Sequence, residues 1–169
     1  MIINTYLTFF INNIVIIRYT VNKHNSKSKG IRIKEKWQNI LETNKEIVWK
    51  NIFSNIYSST NERKLRRFQY KFIHRILPFN RYFLTWNLSQ TSLCDFCEYR
   101  KETVDNLFWD CHITQTLWNN LDVFLKPNAL RLTLNLKTIS LGIAENIPNR
   151  NILIFLIVLM KTFMLKTKI

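Results

Sequence analysis

The sequence predicts a small all-α domain, and three observations predict it. The chain holds only 2 Gly and 3 Pro, too few breakers for a turn-rich β-fold. From residue 31 onward the apolar residues recur mostly at three- and four-residue spacing, the period of helices with one buried face. Apolar residues make up 47% of the 169, so a core of useful size can be buried. Into this helical body the sequence inserts a Cys-x2-Cys…Asn-x4-Cys pattern, read as a knuckle-like loop between helices.

The elements follow in order. Residues 1–17, MIINTYLTFFINNIVII, carry no charged side chain. That length is at the short limit for a membrane span, and Asn4, Asn12 and Asn13 interrupt it. It lacks the basic start and small-residue cleavage site of a signal peptide. A marginal helix, or a segment foreign to the domain, is the expectation. Residues 22–30, NKHNSKSKG, read as a polar, basic linker, so 1–30 is set apart from a helical domain over 31–169.

The spacing of Ile33, Trp37, Ile40 and Leu41 predicts a helix over 33–43. Ile47, Val48, Ile52 and Ile56 predict a second over 45–57, with those four inward. Ser59-Thr60-Asn61-Glu62 has the form of a capping box, with Ser at the cap and Glu three residues later. The helix it opens carries Leu65, Phe68, Phe72 and Ile76 on its buried stripe and stops before Pro78. Asn80 is placed as the cap of a short helix bearing Tyr82, Phe83 and Trp86.

Residues 88–101 read as a loop holding the first two cysteines. A helix from 103 and another over 113–125 follow, the latter with Leu117, Leu121 and Phe124 inward. Pro127 marks a break. Residues 132–139 alternate like a strand but briefly, and stay open between strand and helix. The last helix is placed from Pro148 as a first-turn residue. Its run 152–160 is too short to span a bilayer before Lys161 and reads as a core helix.

Charge points to a partner. Lys and Arg total 25 against 11 acids, a net +14. A surplus that large calls for an anionic partner, with nucleic acid the first class and an anionic membrane surface the second. The surplus is densest in the third helix. Arg63, Arg67 and Lys71 recur every four residues, with Lys64, Arg66 and Arg75 nearby, and form a positive ridge opposite the buried stripe. Such a ridge can follow a phosphate backbone, with Tyr70 available to stack on a base. His74 on the same helix reads as a residue hydrogen-bonded at the core edge. The five Trp (Trp37, Trp49, Trp86, Trp109 and Trp118) read as core anchors.

The three cysteines, Cys94, Cys97 and Cys111, lie within 18 residues, unlike the even, dispersed set of a secreted disulfide framework. Their clustering favours a reducing, intracellular compartment. Two Cys separated by two residues can turn both sulfurs to one ion, and Cys111 is the natural third ligand of a zinc tetrahedron. Asn106 holds the fourth position, where a His-x4-Cys pairing would need histidine. An amide oxygen is a poor zinc ligand beside thiolates. His112, Asp105 and Asp110 are the substitutes, although His112 adjoins Cys111 and strains to face the same ion. Two readings stand: a zinc site, or three thiols packed in a core that holds the knuckle shape by helix contacts.

Signals of catalysis are missing. There is no Gly-rich phosphate loop, no adjacent pair of acids and no serine in a nucleophile-elbow context. The expectation is a chain that is not an enzyme.

Several runs occur together in a specific order. They are Trp49-Lys50-Asn51-Ile52-Phe53; Arg63 through Asn80, RKLRRFQYKFIHRILPFN; and Ser92-Leu93-Cys94-Asp95-Phe96-Cys97. Glu102-Thr103-Val104 and Leu107-Phe108-Trp109-Asp110-Cys111 follow, then Trp118. Together they resemble the zinc-binding domain at the C-terminal end of LINE-type non-LTR retrotransposon reverse transcriptases. Leu141-Gly142-Ile143 and the helix from Asn151 are similar to the tail after that knuckle, so the resemblance covers 33–166.

The resemblance implies a module that holds RNA or DNA during target-primed reverse transcription. Its partners would include other parts of the polyprotein, whose polymerase and endonuclease lie upstream, and its place would be nuclear or cytoplasmic. The metal ligands it implies are Cys94, Cys97 and Cys111, with Asn106 in the histidine slot. Two other readings stay beside it: a small membrane-associated basic protein anchored by 1–17, and a retrotransposon remnant without a function.

Overall fold

A computed structural model describes residues 26–42, 47–126, 134–143 and 147–167, and they fall into two compact units, Met1–Ile47 and Val48–Ile169. The apolar segment 1–17, the Pro127 break and the first part of 132–139 lie outside the described residues. Those described are mostly helical and contain no β-strand. No helix among them is long and apolar enough to cross a membrane.

In the first unit, α1 spans Ser26–Ile40. It begins inside the stretch read as linker, which corrects that reading. Lysines are good helix formers, and the single Gly30 costs only about 1 kcal/mol against alanine. A helix established over 31–40 therefore propagates back through Lys27 and Lys29. Trp37 on this helix is 1% exposed.

In the second unit, α2 (Trp49–Ser59) buries Ile52, Asn55 and Ile56. Val48 was expected inward but precedes the helix and is 57% exposed. The next helix, α3 (Arg63–Ile73), has Leu65, Phe68, Gln69, Phe72 and Ile73 on its buried face. Its cap is not the Ser59 box. Ser59 ends α2 and gives its hydroxyl to the Ile56 carbonyl. Glu62 caps instead, its carboxylate accepting from Lys64 N–H at 3.1 Å. Thr60 and Glu62 are extended, and residues 60–62 between the helices set the acid, not the serine, within reach of the free N–H groups. The helix ends at Ile73, so Ile76 lies beyond it and is only half-buried. Leu77 and Phe79 continue the core in its place.

Phe108 is the hub of this core. The rings of Phe72, Phe68 and Phe79 all meet it edge-on, with centroids 5.1, 6.3 and 6.5 Å away. Edge-to-face pairs of this kind add about 0.5–1.5 kcal/mol each beyond area burial. Trp118, on α5 (His112–Leu125), donates its indole N–H to the Phe108 carbonyl at 2.7 Å. The inward face of α5 is Thr114, Trp118, Leu121 and Leu125. Phe124, expected inward, is 61% exposed because Leu125 takes that turn of the core.

The ambiguous stretch resolves into a short helix, α6 (Leu136–Leu141), capped by the Asn135 side chain on Thr138 N–H. Finally α7 (Arg150–Lys166) packs on α2 and α3 and buries Leu153, Ile154, Ile157, Val158 and Met164. Its start is two residues after Pro148, because Asn149 adopts a left-handed turn at the cap (φ 58).

Polar side chains fasten α6 to the rest. Asn55 donates to the Ile143 carbonyl at 3.0 Å, Gln69 donates to the Ser140 carbonyl at 3.2 Å, and Lys161 donates to Gln69 Oε1 and to the Ile139 carbonyl. The Lys161 ammonium also sits 4.0 Å from the Phe72 ring centroid. Burial pushes its pKa well below 10.5.

Candidate metal centre and cationic face

The knuckle is built on a minimal hairpin. Leu93 and Lys101 form an antiparallel bridge, flanked by Cys94 N–H to the Arg100 carbonyl and Glu102 N–H to the Ser92 carbonyl, both 2.8 Å. Between them, Cys94-Asp95-Phe96-Cys97 turns tightly, with Glu98 N–H returning to the Cys94 carbonyl at 2.8 Å and Glu98 in the left-handed region (φ 52). Such a turn brings the side chains of the first and fourth residues to one side.

The hairpin is pinned to α4 (Asn80–Thr85). Asn80 was expected to cap this helix; it is its first residue instead, and Phe79 occupies the cap. Its backbone N–H donates to the fully buried Glu102 carboxylate at 2.9 Å, and its amide donates to the Leu93 carbonyl and to Asp95. Asn80 thus spends its side chain on the Cys-x2-Cys turn.

The third cysteine arrives by a different route. Residues Asn106–Asp110 form a π turn closed by Cys111 N–H to the Asn106 carbonyl at 2.9 Å. Wider turns of this kind are frequent at functional sites. Cys111 then stands at the N-terminal cap of the 14-residue α5. The positive end of that helix favours a negatively charged cluster there.

The sulfurs of Cys94, Cys97 and Cys111 lie within 4.8 Å of one another. All three are free thiols, Cys94 and Cys111 buried and Cys97 half-buried. Burial pushes the Cys94 thiol up to about 12, against the pull of the Cys97 and Phe96 N–H groups. Burial also raises Cys97, but the N–H groups of Arg100 and Tyr99 and the neighbouring thiols Cys111 and Cys94 outweigh it, so its pKa lies below 9.0. A zinc tetrahedron with sulfurs about 2.3 Å from the ion places sulfurs about 3.8 Å apart, and the three sulfurs gathered within 4.8 Å need only a small shift to take that spacing.

The residues therefore fit zinc at three of its four corners. None of the expected substitutes joins them: His112 is exposed, Asp110 is exposed, and Asp105 is committed elsewhere. Asn106 is 4% exposed in its place.

The cationic residues divide. Arg63, Lys64 and Arg67 are exposed, and no carboxylate among the described residues pairs with them. Lys71 is half-buried, its pKa lowered by burial and then by the neighbouring Arg67. Arg66 turns back onto the α2–α3 corner, donating to the Thr60 carbonyl at 2.6 Å and to the Tyr57 carbonyl and Asn61 at 2.9 Å, with its guanidinium over the Tyr57 ring. Arg75 leaves the ridge. With φ 54 it swings past the helix end into a bidentate pair with Asp105. The sequence places Arg75 one turn after Lys71, but the helix has ended before it.

Tyr70 is 52% exposed, and its ring meets His74 at 4.2 Å; Phe53 of α2 stacks on His74 at 6.0 Å, and Trp49 lies 6.3 Å beyond Phe53. His74 is thus part of a surface aromatic strip, and burial lowers its pKa below 6.5. This strip crosses two helices, so no periodicity within one helix signals it. A second exposed pair, Tyr82 and Trp86, stacks on α4 with centroids 6.1 Å apart. Trp86, expected as a core anchor, is 41% exposed, and the sequence places Tyr82 only on the same short helix. Only their four-residue spacing pointed to a stack.

Against known proteins, the chain matches the family described as zinc-binding in reverse transcriptase over residues 32–118, from α1 through Trp118. No curated protein and no solved structure matches it. The matched stretch contains all three cysteines, the π turn and the cationic helix. With that match over half its length, and with three sulfurs gathered as zinc requires, the chain belongs to the zinc-binding family of reverse transcriptases, an accessory rather than catalytic domain.

Proposed function

We propose that this domain binds nucleic acid, holding template RNA or target DNA for a reverse transcriptase of the non-LTR retrotransposon type during target-primed synthesis. The observation that carries the reading is the exposed row Arg63, Lys64 and Arg67, free of carboxylate partners among the described residues and set on the helix that also presents Tyr70. Cations spaced along one helix face match a polyanionic strand, and an exposed ring beside them offers a stacking surface. The net charge of +14 supports the same partner at long range. Arg66 and Arg75 serve the corner and the knuckle, and we assign them no phosphate.

In this reading the metal knuckle shapes the neighbouring surface and does no chemistry of its own. The domain acts inside the cell, in cytoplasm or nucleus, alongside the polymerase and endonuclease of the same element. Filter binding of the full chain to single-stranded RNA across a salt series tests this. Affinity is expected to fall steeply with salt. Replacing Arg63, Lys64 and Arg67 by Ala should lower the slope of log K against log salt by about 2, at roughly 0.7 per phosphate contact. Salt-insensitive binding, or an unchanged slope in the triple variant, would remove the basis for the reading.

A further inference from the structure

Asn106 differs from the other buried amides among the described residues. Its side chain is buried, and neither Oδ1 nor Nδ2 has a hydrogen-bond partner. Its backbone is fully used: the N–H donates to Thr103 Oγ1 at 3.0 Å, and the carbonyl accepts from Cys111 at 2.9 Å. The other buried amides, Asn55, Gln69 and Asn80, all hydrogen-bond through their side chains. A buried amide left bare on both atoms is costly, and native structures keep few such groups without a reason.

The reason lies next to it. The hydrogen bond that closes the π turn sets Asn106 one turn before Cys111 along the same backbone. The three sulfurs supply three corners of a tetrahedron. No histidine or carboxylate among the described residues joins the cluster. An amide nitrogen has no available lone pair, whereas the amide oxygen has two.

We propose that Asn106 Oδ1 is the fourth ligand of the ion held by Cys94, Cys97 and Cys111, making a three-sulfur, one-oxygen centre. The inference rests on the zinc-binding reading of the cysteine cluster and goes beyond it by assigning the open corner. A neutral oxygen keeps the centre four-coordinate while leaving the total charge of ion and thiolates at −1. It also binds a borderline-soft ion more weakly than an imidazole nitrogen does, so this knuckle holds its ion less tightly than a histidine version would. The substitution is then a working variation of the site and not a vacancy in it.

The test is cobalt(II) titration of the reduced full-length chain, read by visible absorption, followed by displacement with zinc. Wild-type protein is expected to give the intense bands of a four-coordinate thiolate site. Asn106→Leu should bind at least about 10-fold more weakly with shifted bands, while the metal-free protein loses no stability because a bare amide has been removed. Asn106→His should bind at least about 10-fold more tightly, again with shifted bands. If the leucine variant fails to fold, Asn106→Asp decides: an anionic oxygen at the same place should tighten binding and keep bands close to wild type.

Unchanged spectrum and affinity in Asn106→Leu would overturn the assignment and leave the fourth corner to solvent. Unchanged affinity in Asn106→Asp would do the same. Failure of the wild-type chain to bind cobalt or zinc would overturn the zinc reading along with it.

Discussion

Single residues decide more here than their size suggests. Phe108 touches three other rings and accepts the Trp118 indole N–H at its carbonyl, so truncation leaves a cavity that four elements share. Phe108→Ala should cost about 3–5 kcal/mol in urea unfolding. Lys161 sets a pH dependence. Burial lowers its folded pKa well below 10.5, so between that lowered value and 10.5 the unfolded chain binds a proton that the folded chain gives up. Stability from this group therefore rises with pH through that window and levels off above it. The difference in unfolding free energy between wild type and Lys161→Met, followed by urea titration at increasing pH, should grow in favour of wild type up to about pH 10.5. A pH-independent difference would show that Lys161 titrates normally.

Residue identity was legible where a pattern carries it. The three cysteines were readable as one cluster from spacing alone, and they do converge. The partner of Arg75 was not readable, because Asp105 is 30 residues away and the two meet only through a positive-φ turn that no local signal marks.

At the scale of elements, the helical period located α2, α3, α5 and α7, because each buries one continuous apolar face. Boundaries were harder. The caps at Glu62 and Phe79 replaced the expected Ser59 and Asn80, since both polar side chains had other bonds to make. The strand-like alternation of 132–139 gave way to α6 because Gln69, Lys161 and Asn55 reach the carbonyls of residues 139, 140 and 143, a tertiary contact invisible to local pattern.

The Arg75–Asp105 pair ties the end of α3 to the start of the π turn that delivers Asn106 and Cys111. A double-mutant cycle of Arg75→Ala and Asp105→Ala, read by thermal unfolding, should give a coupling of about 1–3 kcal/mol, between the values for exposed and buried pairs. A coupling near zero would mean that the knuckle is held without it.

At the scale of the molecule, charge and apolar content were readable from composition, and the exposed cations of α3 are where the sequence set them. Their division into a free row (Arg63, Lys64 and Arg67) and structural members (Arg66 and Arg75) was not readable, because helical phase alone does not say which guanidinium a nearby carbonyl or carboxylate will capture. The aromatic strip of Trp49, Phe53, Tyr70 and His74 depends on the packing of α2 on α3. Under the proposed nucleic-acid-binding role the strip would offer a second kind of contact, and Tyr70→Ala should weaken single-stranded RNA binding without changing its salt slope, since a stacked ring neutralises no phosphate.

The whole arrangement turns on whether the three sulfurs close around an ion. Zinc content and thermal unfolding should be measured together on the full chain purified without chelator, before and after chelation. One equivalent of zinc, lost from the Cys94→Ser, Cys97→Ser and Cys111→Ser variants, with a lowered Tm on chelation that zinc restores, is the predicted result. A chain carrying no zinc whose Tm ignores both chelator and added metal would contradict it.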